Sequence, residues 1–209
     1  MTYRPPYFRM DDRSTLLELI ARHPFASLIG TDSNGITITH MPLFAVQTQE
    51  TVRLQGHIAR ANVQWRTTGQ RVVATFTVAN HYISPSWYPS KQHDPRTVPT
   101  WDYVAVHARG SVRFIHDRVW LRDLVARSSE IQERSVGGSW SIDDAPPDYL
   151  ESQLRGIVGV ELDVEDLSGI FKLNQNHPPE NVACVVDALV ALGTPGATAL
   201  ASWMKDART

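Results

Sequence analysis

Four segments of the chain set charged or hydroxyl side chains beside aromatic rings: "GHIARANVQW" from Gly56, "HYISPSWY" from His81, "VPTWDYVAVH" from Val98 and "KLNQN" from Lys172. A ligand that joins a phosphate to a flat ring needs a cation, hydroxyl donors and aromatic surface. Arg60 and Lys172 could supply the first, Ser84, Ser86 and Thr100 the second, and Trp65, Trp87 or Trp101 the third. Tryptophans that fill a core would account for any one of these segments. A core does not need Arg, Lys, Gln and Asn beside every ring, so their recurrence points to a binding site.

Other chemistries find no residues to carry them. The sequence has no H-E-x-x-H, no G-x-S-x-G and no Walker A loop. Its eight histidines are scattered without local metal-ligand spacing, and no metal site is expected. The carboxylates of "DDRS", "SIDDAPPD" and "ELDVED" read as helix caps and solvated turns. The one cysteine, Cys184, excludes an internal disulfide and reads as a buried thiol in the apolar run "NVACVVDALVAL". A net charge of −2 gives no global basic field, so any DNA contact would need a local patch or one made by a dimer. The first residues lack the apolar core of a signal peptide, and no window approaches ~18 apolar residues. The expectation is a cytoplasmic protein with no membrane partner.

These segments sit at the ends of expected strands. "DDRSTLLELIARHP" predicts a helix capped by Asp11 or Asp12, with Leu16, Leu19, Ile20 and His23 on one face and Pro24 as its stop. "FASLIGT" and "ITITHMPLFAV" flank the turn "DSNG" as a hairpin, and "TVRLQGHI" and "RVVATFTVAN" follow as strands. "ARANVQW" reads as one or two helical turns. "WDYVAVHARGSVRFIHD" is a long strand with a bulge or bend at Gly110. Asp117 caps a helix from Arg118 to Ser135, whose stripe is Trp120, Leu124, Val125, Ser128 and Ile131. A short proline-started helix follows, then two strands joined near Glu165 to Gly169, then two helices parted by Gly193 to Gly196. The order predicts a mainly β fold with α additions, a closed or partly open barrel with helices at its N- and C-terminal ends. Its expected organisation is one domain over 1–175, with inserted helices at about 118–154, and a helical extension over 176–209 packed on it.

The ordered motifs "GHIARANVQW", "YISPSWY", "VPTWDYVAVHARG" and "KLNQN", with "RPPYFR", "HPFASL" and "THMP", closely resemble the PaiB family of FMN-binding negative transcriptional regulators. The resemblance runs from about Tyr3 to Leu192. It implies a split β-barrel of the FMN-binding type, a homodimer with the flavin in the groove between subunits. It also implies cofactor contacts from His57, Arg60, Asn62, Trp65, Tyr82, Ser84, Ser86, Trp87, Thr100, Trp101, Lys172, Gln175 and Asn176. Four residues, at three places, depart from the family pattern. Asn80-His81 stand where a small residue and a proline are usual, Asp102 replaces an asparagine and Asn174 a serine. A carboxylate at 102 near a phosphate or a flavin carbonyl would repel it. The implied function is a flavin-loaded regulator or ligand sensor. The alternative is a flavin-dependent oxidoreductase acting on a small-molecule substrate, with haem binding through His57 or His107 as a lesser reading.

Overall fold

Alternating and β-branched runs set the strands, and prolines and caps decide where helices begin. In a computed structural model, described here over residues 3–33, 35–67 and 69–207, eight strands form one sheet. They are β1 (Arg9–Met10), β2 (Phe25–Asp32), β3 (Gly35–Pro42), β4 (Phe44–Gln47), β5 (Val52–Ala59), β6 (Arg71–Ile83), β7 (Thr100–Ile115) and β8 (Ile157–Lys172). The order is β3-β2-β6-β7-β8-β5-β4, with β1 paired to β8. The β1–β8, β2–β3, β2–β6, β4–β5 and β5–β8 pairs are antiparallel. The sheet does not close, which is the split-barrel arrangement. Five α-helices accompany it: α1 (Arg13–Arg22), α2 (Arg118–Val136), α3 (Pro147–Arg155), α4 (Pro179–Leu192) and α5 (Pro195–Asp206). None of the described helices is long and apolar enough to cross a membrane.

The chain divides into two compact units. One comprises Met1–Leu19, Phe76–His107 and Leu167–Thr209, the other Ile20–Thr75 and Ala108–Asp166. In the first, α4 buries Val182, Val185, Val186 and Leu189, and α5 buries Ala197, Leu200, Ala201 and Met204. The proline-rich segment after β6 folds as two short 3-10 turns, Pro85–Trp87 and Pro89–Gln92, that lie against α4. Asn181 of α4 accepts from the Ser90 amide at 3.2 Å and donates to the Ser90 hydroxyl at 2.8 Å, which pins the second turn. In the second unit, Leu121, Ile142, Leu150 and Leu154 form a core beneath Trp120, Val125, Ala126 and Ile157. A Cβ at Gly159 would stand 2.3 Å from the Trp120 ring, so that indole packs on β8 only because residue 159 has no side chain.

Several expectations hold. Asp12 caps α1 through the Thr15 amide, 2.7 Å, and Leu16, Leu19 and Ile20 are buried. Asp117 caps α2 through the Trp120 amide, and the β2–β3 hairpin forms, although the turn residue Asn34 lies outside the described residues.

Others are corrected. β8 is one strand rather than two: "VEDLSG" stays extended because its carboxylates pair with side chains of the same unit. Glu165 meets Arg71 at 2.6 Å and the Ser111 hydroxyl at 2.9 Å, and Asp166 meets Arg109 at 2.7 Å. The acidic run is therefore a set of cross-strand pairs and not a solvated turn. Gly110 lies within continuous strand, and its requirement is close approach: a Cβ there would fall 1.8 Å from the Asp163 carbonyl oxygen. On α2 the buried residues are Leu121 and Leu124, whereas Ile131 is exposed. Cys184 is exposed, because the buried face of α4 runs through 182, 185, 186 and 189. β6 continues to Ile83, so His81 and Tyr82 belong to a strand end rather than to the loop.

Candidate functional site

The first cluster lies in the unit of Ile20–Thr75 and Ala108–Asp166, where β5 ends. Arg60 follows that strand and donates from Nε to the Arg155 carbonyl at 2.7 Å and from its guanidinium to the Ile157 carbonyl at 3.1 Å. It thereby satisfies a carbonyl at the C-terminus of α3 that the helix leaves open. The Trp65 indole donates back to the Arg60 carbonyl at 2.8 Å, stands edge-on to His116 and carries the Arg66 guanidinium over its ring. Asn62 caps the 3-10 turn Val63–Arg66 by accepting from the Gln64 amide, and its Nδ2 donates to Thr39 Oγ1 at 2.8 Å. Thr39 in turn donates to Gln64 Oε1 at 2.5 Å. His57 is half-buried, and burial pushes its imidazole below the ordinary histidine value.

The second cluster lies in the other unit, where the start of β7 meets the end of β8. The Lys172 ammonium donates to Thr100 Oγ1 and, at 2.7 Å, to the Trp101 carbonyl. Its remaining side faces Asp102 Oδ1 at 3.6 Å. The Asp102 side chain is wholly buried, while 24% of the Lys172 side chain reaches solvent. Neither Asp102 oxygen accepts a hydrogen bond. Burial pushes this carboxyl up to about 6, and the opposing pull of Lys172 does not cancel that effect. Trp101, beside it, is 53% exposed; its indole donates to Asn80 Oδ1 at 3.1 Å and meets the exposed Tyr82 ring edge-on, centroids 6.2 Å apart.

Behind Lys172, the turn after β8 is shaped by its own side chains. Gln175 accepts from the Leu173 amide at 2.7 Å and donates to the Phe171 carbonyl. Asn174 takes a left-handed φ of 58°, which asparagine tolerates better than most residues, and its Nδ2 donates to the Tyr88 hydroxyl at 3.3 Å. The Tyr88 ring stacks on His177 at 4.9 Å. Burial, and to a lesser degree the Asp102 charge, hold Tyr88 above the ordinary phenol value, against the Asn174 hydrogen bond. Burial and then Lys172 push His177 down.

The structure thus brings together Arg60, Asn62 and Trp65 in one unit, and Tyr82, Thr100, Trp101 and Lys172 in the other. Ser84 and Ser86 bond each other, Oγ to Oγ at 2.7 Å, with Ser84 also capping the first short turn, in which Trp87 is half-buried. Asn176 is exposed. Gln64, Asn80 and Tyr88 complete these clusters and were not among the expected site residues. Each sits inside or next to a motif that was, and sequence position alone does not show which side chain turns inward.

The aromatic surface of Trp101 and Tyr82 and the part-exposed Lys172 cation fit a flat ring carrying a phosphate. A family model described as "Putative FMN-binding domain" matches residues 2–166. The chain is similar to the protease synthase and sporulation protein PAI 2 of Bacillus subtilis, with 30% identity over 98% of this chain and 97% of that protein. Among solved structures it is similar to the flavocytochrome Anf3 from Azotobacter vinelandii, at TM-score 0.62 and 12% identity over 87% of this chain and 78% of that one. It is also similar to a FAD and heme binding protein from Mycobacterium smegmatis, at TM-score 0.54 and 14% identity over 84% and 78%. At such identities these likenesses speak for the fold alone. The family match and the Bacillus relative settle the membership: this chain belongs to the PaiB family of FMN-binding split-barrel proteins.

Proposed function

We propose that the chain is a cytoplasmic homodimer that holds FMN and acts as a negative transcriptional regulator or flavin-dependent sensor. The observation that carries the flavin assignment is the Lys172 ammonium next to the exposed Trp101–Tyr82 pair, in a chain of this family. Bound FMN supplies a ring whose N5 can accept and pass hydride. In this reading Lys172 neutralises the phosphate, and Thr100, Ser84 and Ser86 offer hydroxyls. Trp101, Tyr82 and Trp87 offer ring surface, and Gln175 and Asn176 offer amide groups. The regulatory role draws on the name of the Bacillus relative, which ties that protein to protease synthesis and sporulation. Self-association is supported by the β2–β3 hairpin: Ile36 and Ile38 stand 74% and 58% exposed on β3, a terminal strand of the sheet, and farther along the same hairpin the exposed Phe25 stacks on His40. Such a strand is a natural place for a second copy to cover. With a net charge of −2, direct contact with DNA would rest on a local patch.

The absorbance spectrum of the purified protein tests the cofactor, since flavin and haem bands differ, and light scattering tests the dimer. FMN and riboflavin titrations of Lys172→Ala test the phosphate assignment. A charge-assisted hydrogen bond contributes about 1.5–3 kcal/mol, so FMN should weaken roughly ten- to a hundredfold while riboflavin hardly changes. Arg60→Ala, with the same two ligands, tests the second expected cation, and His57, Asn62 and Trp65 follow by the same comparison. Equal losses for both ligands would show that a residue acts through the fold.

A further inference from the structure

Asp102 is a carboxylate with no solvent exposure and no hydrogen-bond donor on either oxygen. Its compensation is one charge, Lys172 Nζ at 3.6 Å, a distance at which the attraction is coulombic rather than a hydrogen bond. Two further titratable groups interact with the pair, Tyr88 with Asp102 and His177 with Lys172. The Tyr88 hydroxyl is engaged by Asn174, and His177 is stacked on the Tyr88 ring, so neither donates to Asp102. The pair Asp102–Lys172 is therefore neutral as a unit while both groups are ionised. A phosphate arriving at the exposed part of Lys172 would set further negative charge against a buried carboxylate that nothing else supports.

A carboxylate in that position responds by binding a proton, which removes the repulsion and leaves the Lys172 charge to the ligand. We propose that Asp102 is the specificity-determining residue of this site: Lys172 takes a phosphate-monoester anion together with one proton from solvent, which Asp102 holds as a neutral carboxylic acid. The inference rests on the reading of Lys172 as the FMN phosphate partner. Burial already raises Asp102 to about 6, so the proton is within reach near neutral pH.

The test is FMN and riboflavin affinity at pH 5.5 and pH 8 for the wild type and Asp102→Asn. A phosphate monoester itself loses charge as pH falls through about 6, which weakens its attraction to any cation in both proteins alike. The expected result is that acidification favours FMN in the wild type by about ten- to a hundredfold more than in Asp102→Asn, matching one to two pH units of linkage. Riboflavin should show no such difference. A second measurement needs no variant: calorimetry of FMN binding to the wild type at pH 7 in two buffers of different ionisation enthalpy should show net proton uptake. Equal pH dependence in the two proteins, or net proton release by the wild type, overturns the proposal even if FMN binds well. FMN that binds neither protein at either pH overturns the underlying assignment of the site, and so the proposal with it.

Discussion

The two polar clusters solve the same problem differently. Around Asn62, neutral groups complete one another: Thr39, Asn62 and Gln64 exchange hydrogen bonds of 2.5–3.0 Å, and the Gln64 Nε2 is left without a partner among the described residues. Around Asp102, a full charge is buried, with a cation near it and no hydrogen bond to it. Neutral networks stiffen a corner at little electrostatic cost, whereas a buried carboxylate without donors is expensive in its charged form. The first cluster is what a fold needs where a strand turns into a 3-10 turn. The second makes sense where a site must hold and adjust charge.

The contrast breaks most visibly at Lys172. Lys172→Met removes the cation that faces Asp102 at 3.6 Å and leaves a buried charge uncompensated. Losing one partner of a buried pair typically costs about 3–5 kcal/mol. The lower end is expected here, because Lys172 keeps some contact with water. Urea unfolding at pH 8 should show this loss, and at pH 5 most of it should vanish, since protonated Asp102 no longer needs a counter-charge. A loss of equal size at both pH values would place the role of Lys172 in its bonds to Thr100 and Trp101 instead.

Asp102→Asn should act in the opposite direction. The folded carboxyl titrates near 6 against an ordinary 3.8, so between those values the native state binds more protons than the unfolded chain. Stability from this group therefore falls as pH rises through that window, and the full penalty is present above it. At about 1.4 kcal/mol per tenfold, the gap sets an upper limit of about 3 kcal/mol. Asp102→Asn is expected to stabilise the protein by about 1–3 kcal/mol at pH 8 and by almost nothing at pH 4. Stability curves against pH that run parallel for the two proteins would count against a raised carboxyl.

What the sequence made legible follows from this contrast. Caps at Asp12 and Asp117, the hairpin around "DSNG" and the helix break at Gly193 are local chemistry, and they can be read from a few neighbouring residues. The motifs that carry the family resemblance also marked both clusters. The continuity of β8 was hidden because "VEDLSG" has turn composition. Its extended state depends on Arg71, Arg109 and Ser111, which are distant in sequence. Burial of Asp102 was hidden for the same reason. It stands between the exposed Trp101 and the half-buried Tyr103 on β7, and alternation along a strand gives two faces without saying which one is covered. The helical phase of α4, which turns Cys184 outward, needed the buried set 182, 185, 186 and 189 to fix it.

The smallest expected effect belongs to the neutral cluster, and it is the control for the charged one. Asn62→Ala removes the cap on the Gln64 amide and the Nδ2 donor to Thr39, while the Thr39–Gln64 bond remains. Loss of an N-cap costs about 0.5–2 kcal/mol, and the lost Thr39 contact involves a hydroxyl that still has Gln64 as a partner, so about 1 kcal/mol is expected. Neither an acid nor a base takes part, so the difference from wild type should be the same at pH 5 and pH 8. Thr39→Val in the Asn62→Ala background then measures how far the three groups act as one. If they are coupled, the double variant should lose less than the sum of the single losses, because each substitution already disrupts a bond that the other counts. A pH-dependent loss at Asn62 would mean that charge reaches this corner as well, and the distinction between the two clusters would fail at the end where it looks safest.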